Sequence, residues 1–118
     1  MSARSKKYDL EDRTFGFAKR VRAFVKELSK CLGNIEDGKQ LIRSSGSVGA
    51  NYIEANEALS KKDFLMRIKI CRKEAKESRY WLKLVDVNSS NLERERELLQ
   101  AEASELTHIF GAIVTKSQ

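Results

Sequence analysis

Apolar positions recur at alternating spacings of three and four residues along most of the chain, which is typical of helices that pack on one face. In the central stretch, residues 40–58, this apolar seam consists of Leu41, Ser45, Val48, Tyr52, Ala55 and Leu59. A polar line runs beside it at the same spacing, through Gln40, Ser44, Ser47, Asn51, Glu54 and Ala58. Gly46, Gly49 and Ala50 leave little side chain between this helix and whatever lies against it.

Three further segments carry seams of the same period. The first is formed by Phe17, Val21, Phe24 and Leu28, widened by Ala18, Val25 and Leu32. The next is formed by Phe64, Ile68, Cys71, Ala75, Ser78, Leu82 and Val85, widened by Tyr80, Trp81 and Leu84. The last is formed by Leu92, Leu99, Ala103, Leu106, Phe110 and Ile113.

Pairs of polar residues three positions apart predict where the helices begin. These capping pairs are Asp9 with Asp12, Asn34 with Asp37, Ser60 with Asp63, and Ser90 with Glu93. Gly33 is expected to end the first helix, and the Asn88–Asn91 cluster the third. We therefore predict a flexible basic tail at residues 1–8 and helices at about 9–32, 35–59, 61–88 and 91–116. Because short connections place consecutive helices antiparallel, residues 9–116 are predicted to form one all-α, up-down-up-down four-helix bundle.

Composition agrees with a single, heavily charged helical domain. The chain has 118 residues and no proline, so no helix is interrupted by that residue. It holds neither an apolar run long enough to cross a membrane nor the apolar core of a signal peptide, so we expect a cytoplasmic protein without a membrane partner. Cys31 and Cys71 match no metal-binding spacing and are expected to be free thiols.

The net charge of +6 comes from the first and third helical segments. Residues 1–30 and 61–90 each carry a balance of +5, whereas residues 31–60 and 91–118 each carry −2. The candidate nucleic-acid-binding residues of the first segment are Lys19, Arg22, Lys26 and Lys30, together with Arg20. Those of the third segment are Lys62, Lys69, Lys73, Lys76 and Lys83, with Tyr80 on the same line. Such lines are suited to nucleic-acid phosphates, to solvent, or to acidic faces of a neighbouring subunit, and composition does not choose among these.

The polar line of the central helix is open to two interpretations. Gln40, Arg43, Ser44, Ser47, Asn51 and Glu54 form either an internal network that fixes helix register or a surface for a subunit or ligand. If Asn51 and Glu54 are buried they need partners, for which Arg43, Arg67 and Lys73 are candidates. Tyr80 and Trp81 are interpreted as packing at the edge of the core rather than as stacking platforms for bases.

Catalytic patterns are incomplete. A di-metal site in a bundle needs two Glu-x-x-His pairs, and the chain has only His108 with Glu105, although Glu54, Glu57, Glu74 and Glu77 supply further carboxylates. Neither cysteine has a base beside it in sequence, and no glycine-rich phosphate loop follows a strand. We therefore expect a protein that is not an enzyme and needs no cofactor.

Three segments closely resemble the bacterial 23S rRNA-intervening-sequence proteins. They read YDLEDRTFGFAKRVRAFV, QLIRSSGSVGANYIEA and SKKDFLMRIKICRKEAKESRYWLKLV. The pattern Q-L-x-R-S-x-x-S-V-x-x-N-Y-x-E-A falls on Gln40, Leu41, Arg43, Ser44, Ser47, Val48, Asn51, Tyr52, Glu54 and Ala55. One departure is CLGN after the first helix, where many relatives have a proline.

The resemblance implies a bacterial antiparallel bundle whose biochemical role is not established. Similar proteins, including the accessory variability protein of diversity-generating retroelements, assemble as pentameric barrels, which implies a ring-like homo-oligomer, a homopentamer. That accessory protein binds nucleic acid and a reverse transcriptase through a basic surface. By analogy, the cations of the first and third helices would face RNA or DNA, with structured RNA favoured. The alternative is a self-associating scaffold that recruits a protein partner without nucleic acid.

Overall fold

A computed structural model describes residues 6–118, with side chains from Leu10 onward. It contains four α-helices, α1 (Lys6–Glu27), α2 (Leu32–Asn56), α3 (Lys61–Leu84) and α4 (Ser90–Ser117). The predicted all-α, four-helix fold is confirmed. None of the helices in this part of the chain combines the length and the apolar character that crossing a membrane requires.

Each helix packs against two others. α2 lies against α1 and α3, and α4 lies against α3 and α1. Over the described residues, no Cα atom of α1 lies within 8 Å of one in α3, and none of α2 lies within 8 Å of one in α4, so these two pairs meet only through side chains. These contacts are consistent with an up-down bundle, whose principal extents are 45 × 31 × 19 Å. As a result, α1 and α3, which carry the excess positive charge, lie diagonally across the core.

The predicted seams form the core. Its largest fully buried side chains include Phe17 and Phe24 of α1, Leu41 of α2, Ile68 of α3 and Phe110 of α4. The rings of Tyr52 and Phe110 pack at a centroid distance of 5.8 Å and a tilt of 58°. Burial of these apolar side chains is what holds four helices of moderate intrinsic stability together.

The connection between α1 and α2 differs from the prediction. α1 ends at Glu27, five residues early, and Gly33 lies in the first turn of α2 without a positive φ. Asn34 is not the N-cap, a position that Cys31 holds. The Asn34 side chain is buried and donates to the carbonyl oxygens of Ser29 (3.1 Å) and Asp86 (3.0 Å), while its Oδ1 accepts from the Asp86 amide (2.9 Å). It therefore joins the loop before α2 to the loop before α4, and α2 begins early enough to carry it.

Other helix ends also differ from the predicted bounds. Ser60 caps α3 as expected, accepting from the Asp63 amide at 3.1 Å, whereas α4 is capped by Ser89 rather than Ser90. α2 stops at Asn56, so Leu59 falls in the turn and is fully exposed. Leu32, at the start of α2, is also exposed. α3 ends at Leu84, four residues before the predicted end.

The remaining predictions concern the N-terminus. The predicted basic tail falls partly on residues 1–5, outside the described residues, and partly on the first turn of α1. Asp9 also lies within α1 and not before it.

Glycines set the approach of α1 to α2. A Cβ on Gly49 would meet Thr14 Oγ1 at 3.0 Å and Thr14 Cβ at 3.3 Å, and a Cβ on Gly38 would meet Val25 Cγ1 at 3.0 Å. Thr14 cannot easily move away, because its buried hydroxyl donates to the carbonyl oxygens of Leu10 and Glu11. A Cβ on Gly46 meets nothing within 4 Å. Of the two glycines singled out in the sequence, Gly49 is therefore needed for helix packing and Gly46 is not.

Gly49→Ala and Gly46→Ala are a matched pair that tests this packing. Alanine favours a helix over glycine by about 0.5–1 kcal/mol, so Gly46→Ala is expected to raise the free energy of unfolding by that amount. Gly49→Ala places a methyl group against Thr14, and this overpacking should cost about 1–3 kcal/mol. That cost should outweigh the gain in helix propensity, so Gly49→Ala is expected to lower the free energy of unfolding. Urea denaturation measures both. Equal stability of the two variants would contradict the proposed contact.

Candidate functional site

The α2–α3 contact contains two acidic residues of α3, Glu74 and Glu77. Arg43 of α2 donates from Nη1 to Glu74 Oε1 at 3.2 Å, from Nη2 to Glu77, and from Nε to Gln40 Oε1 at 3.0 Å. The Glu74 side chain is only 8% exposed. Trp81 donates from its indole nitrogen to Glu77 Oε2 at 2.9 Å. Arg43 thus pairs with two carboxylates, one of which is buried.

Two further contacts of the polar line join the same helices. The hydroxyls of Ser44 and Ser78 are both buried and lie 2.9 Å apart. Asn51 donates to Ser47 at 2.9 Å and accepts from Arg67 Nη1 at 3.0 Å.

Not every member of the polar line takes part in these contacts. Glu54 is exposed, and in the described part of the chain its side chain has no hydrogen bond or ion pair. Lys73, a candidate partner for Glu54, lies instead 3.7 Å from Glu74 Oε2. Gln40, Arg43, Ser44, Ser47 and Asn51 therefore lie along one helix contact within the chain, and Glu54 does not belong to it.

The opposite flank of α3 faces α4 and has a different character. A groove runs between the two helices there, lined by Arg72, Lys76, Arg79, Ser104, Thr107, His108, Gly111 and Thr115. Its α3 wall is cationic, and its α4 wall offers hydroxyls and one imidazole. No acidic residue is among the described residues that line it. The absence of a side chain at Gly111 leaves room beside Arg72, whose Cδ would lie 3.8 Å from a Cβ at that position.

The cations of this flank form a longer line. Lys69, Arg72, Lys76, Arg79 and Lys83 follow one another at spacings of three and four residues, and we call them the α3 cation row. In the described structure none of them has an ion-pair partner. The sequence prediction omitted Arg72 and Arg79, although both continue the spacing of Lys69, Lys76 and Lys83. Lys62 and Lys73, which it included, are exposed, and Lys73 pairs with Glu74.

The cations of the first segment divide into different environments. Lys19, Arg22 and Lys26 are exposed on the face of α1 opposite its core residues and have no ion-pair partner in the described chain. We call these three residues the α1 cation row. Arg20 instead lies 3.5 Å from Glu95 Oε2 of α4. Lys30 follows the end of α1 and lies in the loop.

A second groove lies between α1 and α2. Its lining includes Gly46, Gly49 and Ala50, and the side chains of Phe15 (67% exposed) and Ile53 (54% exposed) lie beside them. The charged residues Glu11, Lys19 and Arg22 also line this groove. An exposed apolar surface next to small residues is typical of a protein contact face.

The carboxylates considered for metal binding or catalysis do not converge. Glu105 lies toward Arg13 of α1, where the Glu102 hydrogen bond and the nearby carboxylates raise the pKa of Arg13, whereas His108 lines the α3–α4 groove. Over the residues that the structure describes, no three His, Cys, Asp or Glu side chains form a group that could hold a metal ion.

The two thiols and the two aromatic rings singled out in the sequence lie in different environments. Burial raises the pKa of the Cys71 thiol to about 12, so this thiol stays protonated at neutral pH, and Cys31 is exposed in a loop. Tyr80 packs edge-on against Trp81 with ring centroids 5.0 Å apart and is itself 56% exposed. Trp81 is directed toward Glu77 and the α2 flank.

Comparison with known proteins agrees with the fold. Residues 6–112 match the model of the family described as 23S rRNA-intervening sequence protein. A crystal structure of a protein with unknown function from the S23 ribosomal protein family of Bacteroides thetaiotaomicron is similar, with 28% identity and a TM-score of 0.79. The similarity covers 94% of this chain and 99% of that one. No curated protein matches the chain.

A double-mutant cycle tests the role of Arg43 in the α2–α3 contact. Arg43→Ala leaves the Glu74 carboxylate buried without its main partner and should lower the free energy of unfolding by about 1–3 kcal/mol. Glu74→Gln should cost less in the Arg43→Ala background than in the unmodified chain, because a neutral amide does not need the guanidinium. The coupling should reach about 1 kcal/mol or more in denaturant unfolding.

Lys39→Ala is the control for this cycle. It breaks an exposed pair with Glu36 and should change stability by less than about 0.5 kcal/mol. Additive effects of Arg43→Ala and Glu74→Gln would show that the pair does not hold the two helices together.

Proposed function

The chain belongs to the 23S rRNA-intervening sequence protein family, and we propose that it is a non-enzymatic, homo-oligomeric protein that binds nucleic acid, structured RNA above all, through its basic helix faces. The α3–α4 groove carries this proposal. It combines unpaired cations on one wall with neutral hydrogen-bonding groups on the other, and no carboxylate lines it. Such a surface attracts a polyanion and offers donors to phosphate and sugar oxygens.

The distribution of acids supports the same conclusion. Glu74 and Glu77 are held on the α2 flank of α3 by Arg43, and Glu95 and Glu102 of α4 pair with Arg20 and Arg13 of α1. These four carboxylates are therefore paired away from the α3–α4 groove. Lysines and arginines in contact only with solvent can release counterions from a phosphate backbone when they bind it.

Structured RNA is favoured over a sequence-specific DNA site for chemical reasons. The α4 wall places the Ser104, Thr107 and Thr115 hydroxyls beside the cations. The Thr107 and Thr115 hydroxyls already donate to the carbonyl oxygens of Ala103 and Gly111, so their oxygens are suited to accept from 2′-hydroxyls while the cations bind phosphates. Tyr80, an exposed aromatic residue of α3, packs its ring on Trp81. A groove without a row of stacking rings favours recognition of backbone and shape over recognition of unpaired bases.

A self-associating scaffold is the second candidate, and the α1–α2 groove favours it. Phe15 and Ile53 expose apolar side chains beside Gly46 and Ala50, so a second copy of the chain could bury them. Self-association is also part of the first proposal, in which the family resemblance implies a pentameric ring. The two functions differ in whether the α3 cation row is needed for binding a partner.

Charge reversal of the α3 cation row tests nucleic-acid binding. Five neutralised phosphates correspond to a slope of roughly −4.5 in log affinity against log salt, or about 500-fold weaker binding between about 50 and 200 mM salt. The variant Lys76→Glu, Arg79→Glu, Lys83→Glu should reduce this slope by about 2.7 and abolish most binding to a short RNA duplex. All three residues are exposed, so the fold should persist, as circular dichroism can verify.

The control variant leaves the cations of the α3–α4 groove unchanged. Lys39→Glu on α2 breaks only an exposed pair and should leave RNA affinity within about twofold of the unmodified chain. Binding that survives the triple reversal, or no binding even at low salt, would contradict nucleic-acid recognition by this groove and favour the scaffold.

Filling the α1–α2 groove tests self-association. Gly46→Leu places a bulky side chain where a Cβ meets nothing in the chain itself, so it should reduce the molar mass measured by light scattering without unfolding the protein. Gly33→Leu is the matched control, because Gly33 is equally unobstructed and lies outside the groove. A monomeric unmodified chain, or an assembly that Gly46→Leu leaves intact, would contradict the proposed contact.

A further inference from the structure

We propose that His108 is a phosphate-binding residue of the α3–α4 groove that acts in its protonated form, so that the groove binds RNA more tightly as the pH falls. This inference rests on the proposed function, which supplies the phosphates. It goes beyond that function because lysines and arginines bind phosphate throughout the neutral range, whereas an imidazole does so only after it takes up a proton. The chain contains a single histidine, and that histidine lines this groove.

His108 lies across the groove from the cations of α3. The two helices run antiparallel. Arg96, near the start of α4, donates to the carbonyl oxygen of Val85 at 2.7 Å, just after the end of α3. Arg72, in the middle of α3, lies beside Gly111, toward the end of α4. Because His108 comes one helical turn before Gly111, it lies opposite the turn of α3 that begins at Arg72. A phosphate in this part of the groove therefore has permanent cations on one side and the imidazole on the other.

The α4 wall has few hydrogen-bond donors to offer a phosphate, whose oxygens only accept. The Thr107 and Thr115 hydroxyls already donate to backbone carbonyl oxygens of α4, at 2.7 and 3.1 Å. The Ser104 hydroxyl and the exposed His108 imidazole have no hydrogen bond with any residue that the structure describes. A neutral imidazole has one N–H donor, whereas an imidazolium has two and carries a positive charge. Protonation of His108 therefore gives the α4 wall its own phosphate-binding group.

The charged groups around His108 come from α4 itself and from the two helices that pack against it. On the α1 side, Arg13 pairs with Glu102, and Glu105 lies toward the same guanidinium. On the α3 side there are cations that have no ion-pair partner among the described residues, namely Arg72, Lys76 and Arg79. Within the described structure no carboxylate forms an ion pair with His108, so the charge of its imidazolium is available to a bound phosphate.

The pH dependence of RNA binding tests the role of His108. The probe is a short RNA duplex with hydroxyl ends, because a terminal phosphate would itself titrate near about pH 6. Its affinity is measured at about pH 5.5 and about pH 7.5, between which an ordinary imidazole changes charge and ordinary carboxylates stay ionised. One added phosphate contact steepens the slope of log affinity against log salt by about 0.9, so binding at ~50 mM salt should be at least about threefold tighter at the lower pH.

Two variants separate the charge of His108 from its other properties. His108→Gln keeps a neutral hydrogen-bonding side chain, so its affinity at about pH 7.5 should stay within about twofold of the unmodified chain and should not rise at the lower pH. His108→Lys carries a permanent charge and should bind as tightly at both pH values as the unmodified chain does at the lower one. His108 is exposed, so both variants should keep the fold, as circular dichroism can verify.

Equal affinity of the unmodified chain at both pH values, or a pH dependence that His108→Gln retains, would show that the inference is wrong and leave the proposed function standing. A molar mass that changes between the two pH values in light scattering would assign the effect to assembly and equally overturn the inference. Failure of the unmodified chain to bind the duplex at either pH would contradict the proposed function itself.

Discussion

The pairing of Arg43 with Glu74 and Glu77 distinguishes one flank of α3 from the other. These two acidic residues lie on the flank that faces α2, and the Glu74 carboxylate is almost fully buried. On the flank that faces α4, the described lining of the groove has cations on its α3 wall and hydroxyls and an imidazole, rather than carboxylates, on its α4 wall. α3 thus has one flank on which acidic residues pair with Arg43 and another flank on which the cations have no ion-pair partner among the described residues. The proposed nucleic-acid groove lies on the second flank.

The glycines of α2 have a separate and purely steric role. Gly38 and Gly49 accept Val25 and Thr14 of α1 at distances that no Cβ would tolerate without movement. Gly46 takes no part in that contact and instead opens a shallow apolar groove beside Phe15 and Ile53. The same helix therefore provides internal packing at two glycines and a candidate subunit surface at the third.

The periodicity of the sequence predicted the four helices and nearly all of the core, because apolar burial repeats with the helical period. It placed Asn34 and Gly33 wrongly, since both resemble local end signals while Asn34 in fact bonds to Asp86, 52 positions away. Arg72 and Arg79 continued the spacing of the α3 lysines and could have been found from it. Spacing alone does not show which flank of α3 faces α4. It also does not show which cations of α3 already have an acidic partner, because both depend on tertiary packing.

Protection of lysines from an amine-reactive label, mapped residue by residue with and without RNA, tests the central claim most directly. RNA should protect Lys69, Lys76 and Lys83 of the α3 cation row and leave Lys39, on α2, as reactive as in the free protein. Equal protection of all exposed lysines, or protection that spares the α3 cation row, would contradict the assignment of the α3–α4 groove as the nucleic-acid interface.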